Sequence, residues 1–160
     1  MKLDRMDGMR RTDYCGTLRR EDIGKKVVVA GWVQRQRDLG ALIFIDLRDR
    51  TGIVQLAFDD TTDKEIFSKA FAVRSEYVLM AEGTVRERTS INRDIPTGEI
   101  EIEVTTLKVL GQSETPPFEI LPDSDTKEDI RLKYRYLDLR RSNLQNNIIV
   151  FLCLYICTKK

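Results

Sequence analysis

Residues 31–58, GWVQRQRDLGALIFIDLRDRTGIVQLAF, contain three strand-like runs separated by the turn signals DLG and RTG. The middle run is the clearest of the three. Ile43, Ile45 and Leu47 fall on one side of an extended chain, and the residues between them fall on the other side. Such alternation is typical of a half-buried β-strand, so this stretch predicts three consecutive strands.

Two further strand-like runs follow, YVLMAEGTVRER at 77–88 and EIEIEVTTLKVL at 99–110. Between the third and fourth runs lies one helical stretch, TDKEIFSKAFAV at 62–73. The residues that recur there at helical spacing are Ile66, Phe67, Ala70 and Phe71. Five strands with one helix between the third and fourth are the element order of an OB-fold, a mainly β, five-stranded Greek-key barrel. We therefore predict that fold.

The chain changes character on either side of this barrel. We predict a flexible leader over residues 1–11, the OB-fold over 12–111, and a proline-containing, acidic linker over 112–128. Residues 129–160 turn basic and helix-prone, and are expected to be a hinge and the start of another unit. The charged first residues lack a secretory signal, and the apolar run 148–157 is shorter than the ~20 residues that span a bilayer. We expect no membrane segment.

Composition argues against several kinds of function. The 27 Lys and Arg residues nearly balance 26 Asp and Glu, giving a net charge of +1, so nucleic-acid contacts must come from local clustering of charge. The chain has no His, which removes imidazole catalysis and His-ligated metals. Its three cysteines, Cys15, Cys153 and Cys157, lack the spacing of a zinc site or disulfide framework. We expect reduced thiols, a cytoplasmic location, and no catalytic residue, metal or cofactor in this chain.

One aromatic side chain falls out of phase with the predicted core. Phe44 shares a strand face with Asp46 and Arg48, where a buried ring is not expected. It is either shielded by a neighbouring loop or strand, or a stacking platform for an unpaired base, as is common in OB-folds. Arg35 and Arg37 project from the end of the preceding strand toward this region. They are either solvated charges or ligands for phosphates and base edges.

Further polar side chains are predicted on the same barrel face. Gln55 points away from the core of the third strand, and its amide can both donate to and accept from a base edge. Glu101 belongs to an outward row of glutamates, which is either a solvated edge that resists strand addition or includes an acceptor for guanine. Arg86 and Arg88 end the fourth strand, and Asn92 lies in the loop that follows.

The stretch 31–58 closely resembles the anticodon-binding domain of bacterial-type aspartyl-tRNA synthetases. Supporting stretches are YCGTLR at 14–19, INRDIPTGEIEIEV at 91–104 and RLKYRYLDLRR at 131–141. The likeness runs from about residue 11 to residue 150. Lysyl- and asparaginyl-tRNA synthetases share the fold and a version of YRYLDLR, but RDLGALIFIDLRDR together with NRDIPTGEIE points to the aspartyl family.

The resemblance implies a partner, the anticodon loop of a tRNA, and a set of contact residues. It makes Phe44 the ring that stacks on an anticodon base and Glu101 the carboxylate that recognises the first anticodon base, a guanine or its modified form. The other implied contacts are Arg35, Arg37, Gln55, Arg86, Arg88 and Asn92.

The resemblance also implies what lies outside this chain. In that family a separate class II catalytic domain uses ATP and Mg²⁺ to attach aspartate to its tRNA, and the full-length enzymes are homodimers. Residues 151–160, FLCLYICTKK, depart from the family pattern. We therefore expect a truncated chain that does not catalyse the reaction or dimerise by itself. Two alternatives stay open: a general single-strand-binding OB-fold protein, and an inert truncation product.

Overall fold

The computed structural model describes residues 3–59 and 61–158, which form two compact units, Met1–Thr115 and Pro116–Lys160. The first unit holds a closed barrel whose strands neighbour one another in the order β1-β2-β3-β5-β4. Its strands are β1 Lys26–Asp38, β2 Ile43–Arg48, β3 Ile53–Phe58, β4 Val78–Glu87 and β5 Ile100–Gly111. All neighbouring pairs are antiparallel except β3 with β5, which is parallel. The predicted OB-fold is confirmed.

The barrel core is built from one face of every strand. Ile43, Ile45 and Leu47 of β2 are fully buried, as the alternation predicts. The inward positions of β3 and β5 are buried as well, and they are Val54, Leu56, Phe58, Ile100, Ile102 and Val104. Closure leaves the sheet without open edges, so the outward side chains of all five strands share one continuous outer surface.

One helix, α1, spans Lys64–Ala72 between β3 and β4, in the predicted place. Asp63 caps its start by accepting a hydrogen bond from the backbone NH of Glu65 at 2.8 Å. Ala70 is buried against the barrel core. Phe71, next to it in sequence, is 54% exposed.

The segment before β1 is attached to the barrel by backbone and side-chain hydrogen bonds. Asp4 donates from its backbone NH to the Val109 carbonyl at 2.8 Å and accepts from the Val109 NH at 3.0 Å. Cys15 is fully buried, and its backbone NH donates to the Asp49 carboxylate at 2.7 Å. Gly16 packs directly on the Thr51 carbonyl, and a Cβ there would lie 2.2 Å from that oxygen. Residues 1–2 of the predicted leader lie outside the described residues.

The second unit has no strand within its described residues 116–158 and contains α2 Glu128–Lys133, α3 Arg135–Asp138 and α4 Ser142–Thr158. Asp138 and Arg141 are buried and joined by an ion pair of 3.1 Å. Arg141 also donates to the Leu121 carbonyl at 2.8 Å, which ties the YRYLDLRR motif to the preceding segment. Most apolar side chains between 148 and 156 are exposed on α4. The proposed domain boundaries stay predictions, and residues 159–160 of the tail lie outside the described residues.

Among the described residues, no helix is both long and apolar enough to cross a membrane. All three cysteines are free thiols. Cys153 and Cys157 are exposed on α4, whereas burial next to the Asp49 carboxylate raises the pKa of Cys15 far above its usual range.

Candidate nucleic-acid interface

The strand registers place one outward polar side chain from each strand in a row across the barrel. Arg35 of β1 pairs with Asp46 of β2, which pairs with Gln55 of β3. Gln55 pairs with Glu101 of β5, which in turn pairs with Arg86 of β4. Residues far apart in the chain are thereby brought together, because the parallel β3–β5 pairing closes the barrel at this point.

Hydrogen bonds link most of this row into a single cluster, here called the outer-face network. Gln55 donates from Nε2 to Glu101 Oε2 at 2.8 Å and accepts at Oε1 from Arg37 Nη2 at 2.8 Å. Arg37 also reaches Asp46 Oδ1 at 3.3 Å. On the other side, Arg86 donates from Nε to Glu101 Oε1 at 2.8 Å. The network therefore holds both oxygens of Glu101 in a fixed orientation.

Two further carboxylates complete the surroundings of Arg86. Arg86 Nη1 lies 3.2 Å from Asp59 Oδ2 and 3.3 Å from Glu103 Oε1. Burial alone would lower the pKa of Arg86, but the hydrogen bond and charge of Glu101, with those of Asp59 and Glu103, raise it above its usual value. The hydrogen bond from the Thr61 hydroxyl, followed by that from Arg86, lowers the pKa of Asp59 despite its partial burial. Arg86 is therefore a fixed cation.

Phe44 lies in the neighbouring row, between Arg37 of β1 and Ala57 of β3. Its ring is half-buried and sits outside the barrel core, and Arg37 Cζ lies 5.7 Å from the ring centroid. The methyl group of Ala57 is too small to cover a phenyl ring. The ring is therefore outside the barrel core and only partly covered, and the choice between a shielded ring and a stacking platform stays a prediction.

The structure corrects the exposure expected for two of these residues. Gln55 and Glu101 do lie on the outer face, but they are only 3% exposed each. Glu101 is thus not part of a solvated edge, although Glu99 beside it is exposed. Their burial is tolerated because each side-chain polar atom of Gln55 and Glu101 has a hydrogen-bond partner within the network.

The arginines of β1 differ from one another. The Arg37 side chain is 36% exposed, and its Nε is buried without a hydrogen-bond partner. Arg35 is exposed, and within the described residues its side chain has no ion pair. The two are therefore not an equivalent pair: Arg37 belongs to the outer-face network, whereas Arg35 is exposed outside it.

Two predicted contact residues stand outside the network. Arg88 is half-buried, and its backbone NH donates to the Glu99 carbonyl at 2.9 Å. Asn92 forms hydrogen bonds within its own loop. Its Oδ1 accepts from the Asp94 NH at 2.9 Å, and its backbone NH donates to the Gly98 carbonyl at 3.0 Å. The structure thus brings Arg37, Phe44, Gln55, Arg86 and Glu101 together but leaves Arg88 and Asn92 at the margin.

Sequence reasoning missed three members of this surface, Asp46, Asp59 and Glu103. Asp46 carried a signal as the carboxylate on the Phe44 face of β2, and Glu103 as a member of the outward row of glutamates on β5. In the described parts of the chain, no cluster of three or more His, Cys, Asp or Glu side chains could hold a metal ion.

Comparison with protein families gives a match to the OB-fold nucleic acid binding domain, tRNA anticodon type, over residues 27–110. Among curated proteins, the aspartate–tRNA(Asp/Asn) ligase of Caldanaerobacter subterraneus subsp. tengcongensis is 55% identical over 148 residues, which are 91% of this chain and 25% of the relative. The aspartate–tRNA ligase of Limosilactobacillus fermentum is 54% identical over 138 residues, 86% of this chain and 23% of the relative. The chain spans about a quarter of the length of the curated relatives it matches.

Solved structures give the same family resemblance. Asparaginyl-tRNA synthetase from Pyrococcus horikoshii, complexed with asparaginyl-adenylate, superposes with a TM-score of 0.67 at 30% identity, over 82% of this chain and 29% of that one. Aspartyl-tRNA synthetase from Entamoeba histolytica superposes with a TM-score of 0.76 over 90% of this chain and 36% of that one. At 21% identity, the second likeness shows the shared fold alone.

Proposed function

Because this chain belongs to the OB-fold nucleic acid binding domains of the tRNA anticodon type, we propose that it binds the anticodon loop of an aspartate-accepting tRNA. Its curated relatives are aspartate–tRNA ligases. We assign the ATP- and Mg²⁺-dependent attachment of aspartate to the whole protein, in the cytoplasm, with this chain as the anticodon-binding module.

The observation that carries the proposal is Phe44 beside the outer-face network. The ring is half-buried on the outside of the barrel, and the Arg37 guanidinium lies 5.7 Å from its centroid. An aromatic ring beside a cation is suited to bind an unstacked base. Base–aromatic stacking supplies about 1–3 kcal/mol per base without regard to sequence. Stacking alone therefore gives affinity for a single strand but does not identify an anticodon.

Selectivity is proposed to come from Glu101. A carboxylate offers about four lone-pair sites, and Gln55 and Arg86 occupy one on each oxygen at 2.8 Å. The remaining sites can accept from the two neighbouring N–H donors on the Watson–Crick edge of guanine. Adenine lacks that donor pair, so its insertion leaves acceptors unpaired at a cost of about 1–3 kcal/mol each.

Access to Glu101 requires a side chain to move, because its own side chain is only 4% exposed. Arg37 is the least firmly held member of the network, since its Nε is buried without a partner. We propose that Arg37 leaves Gln55 and donates to the incoming RNA. Gln55 then turns its freed Oε1 toward a base edge, while Arg86 keeps Glu101 in place. Arg35 contacts the phosphate backbone, and Arg88 and Asn92 add contacts at the margin.

Competition binding at one fixed salt concentration tests this proposal. Three stem-loops of identical stem sequence carry the anticodons GUC, AUC and GAA, and an oligo-dT of equal loop length is the fourth competitor. We expect GUC to bind at least about tenfold more tightly than AUC, equivalent to about 1.4 kcal/mol. Equal affinity for all four would instead identify a general single-strand binder. A thermal melt by circular dichroism without a cooperative transition would support the inert alternative.

A further inference from the structure

A second cationic aromatic site lies in the groove lined by Arg11, Tyr14, Trp32 and Arg50, here called the Trp32 groove. Its volume is about 300 Å³, at the lower end of the range for small-molecule sites. Along β1, Trp32 and Arg37 are five residues apart, or about 16 Å at ~3.3 Å per residue. The groove is therefore separate from the Phe44 surface.

Two arginine side chains contact the Tyr14 ring in this groove. Arg11 Cζ lies 4.0 Å and Arg50 Cζ 4.7 Å from the Tyr14 ring centroid. Arg50 also donates from Nη2 to the Tyr14 hydroxyl at 2.9 Å. Both Cζ atoms thus lie within 4.7 Å of one ring centroid, so the two guanidinium groups form a single patch of positive charge. An anion that binds at this patch would be attracted by both.

Little in the groove neutralises these charges. Among the described residues, neither Arg11 nor Arg50 forms an ion pair, and both are exposed. Asp49 is the one carboxylate lining the groove, but its oxygens accept from the backbone NH groups of Cys15 and Thr51 and from the Thr51 hydroxyl, each at 2.7 Å. Asp49 is thus engaged by Cys15 and Thr51, and among the described residues neither guanidinium group of the groove is paired with a carboxylate.

Trp32 supplies a flat surface beside these charges. It is the single tryptophan of the chain, and its side chain is 45% exposed although its backbone is paired with both β2 and β4. A large indole fixed on a rigid strand and left open to solvent is a stacking platform. The indole can stack on a base, and the two guanidinium groups can bind the phosphate joined to it.

We propose that the Trp32 groove binds a nucleotide of single-stranded RNA, with its base on the Trp32 indole and its phosphate bound by Arg11 and Arg50. The anticodon proposal does not assign this site, which would give the barrel a second RNA contact. An acidic peptide could satisfy the two arginines but does not require the indole, so the two ligands are separable by experiment.

Trp32 fluorescence tests the proposal directly, because no other tryptophan contributes to the signal. The full chain is titrated with the oligoribonucleotide rA6. We expect saturable quenching of Trp32 emission in the wild type. We expect a midpoint about tenfold weaker in Arg11→Gln, with the salt slope reduced by about 0.7, the value for one phosphate contact on a single strand.

Arg11→Gln suits this test because Arg11 is exposed, and Arg50→Gln is the second variant in case the first perturbs the loop. Arg20→Ala is the matched control. It removes one exposed positive charge at a site where Arg20 pairs with Glu87, and it should leave the midpoint within about twofold. Absence of quenching by rA6, or equal displacement of rA6 by a polyglutamate peptide, would overturn the proposal.

These outcomes are distinguishable from those of the anticodon test. Selective binding of the GUC stem-loop without quenching by rA6 would refute the Trp32 groove alone. Quenching by rA6 without discrimination among stem-loops would refute the anticodon proposal alone and support the groove.

Discussion

Replacing Phe44 by alanine removes the proposed stacking surface while leaving the barrel core untouched. The ring is half-buried and lies outside the core cluster. The free energy of unfolding should therefore fall by less than it does when a buried Phe is replaced by Ala, which costs about 3–5 kcal/mol. Binding of the GUC stem-loop should lose about 1–3 kcal/mol of stacking energy. That loss corresponds to a dissociation constant about 5- to 150-fold higher.

The assay is isothermal titration of wild-type and variant chains with the GUC stem-loop, paired with urea unfolding of each chain. Phe71→Ala is the matched control, because Phe71 is an exposed aromatic on α1 outside the candidate interface. We expect it to change the dissociation constant by less than about twofold. Unchanged RNA affinity in Phe44→Ala, or equal losses in both variants, would refute the assignment of this surface.

Three further predictions concern specificity, stability and solubility. Glu101→Gln should reduce discrimination between GUC and AUC more than it lowers affinity for GUC; uniform weakening across anticodons would argue against base reading. Hydrogen bonds from Thr51 and the Cys15 NH lower the pKa of Asp49 although burial raises it, so Asp49→Ala should cost about 1–3 kcal/mol of unfolding free energy at pH 7. A lowered folded-state pKa gives stability that is full above the unfolded pKa of ~3.9 and is lost as the pH falls through the folded-state pKa. The difference in unfolding free energy between wild type and Asp49→Ala should therefore shrink as the pH falls below ~4, and a constant difference would contradict the prediction. Deleting 151–160 removes exposed apolar side chains of α4 and should raise the soluble fraction in a centrifugation assay; an unchanged fraction would count against this.

The barrel itself could be predicted from local sequence patterns. Each strand shows its own alternation, and the turn signals and the helix between β3 and β4 set the order of the elements. The outward placement of Phe44 follows from the same alternation, because Ile43 and Ile45 on either side of it must face the core. These features depend on neighbours in sequence, which is why they can be read directly.

The burial of Gln55 and Glu101 could not be predicted in this way. It depends on the parallel pairing of β3 with β5, which brings together residues 46 positions apart, and no local pattern encodes that register. Helical spacing likewise predicts α1 but not which of its apolar side chains are exposed, as Phe71 is.

The central claim is that the Phe44 ring receives an anticodon base, and NMR on the ring itself tests it most directly. A chain with 13C-labelled phenylalanine is titrated with the GUC stem-loop, and the Phe44→Ala spectrum assigns the signal. The account predicts a large upfield shift of the Phe44 ring protons, with intermolecular NOEs to a loop base. Tight binding with unshifted Phe44 ring protons would contradict it.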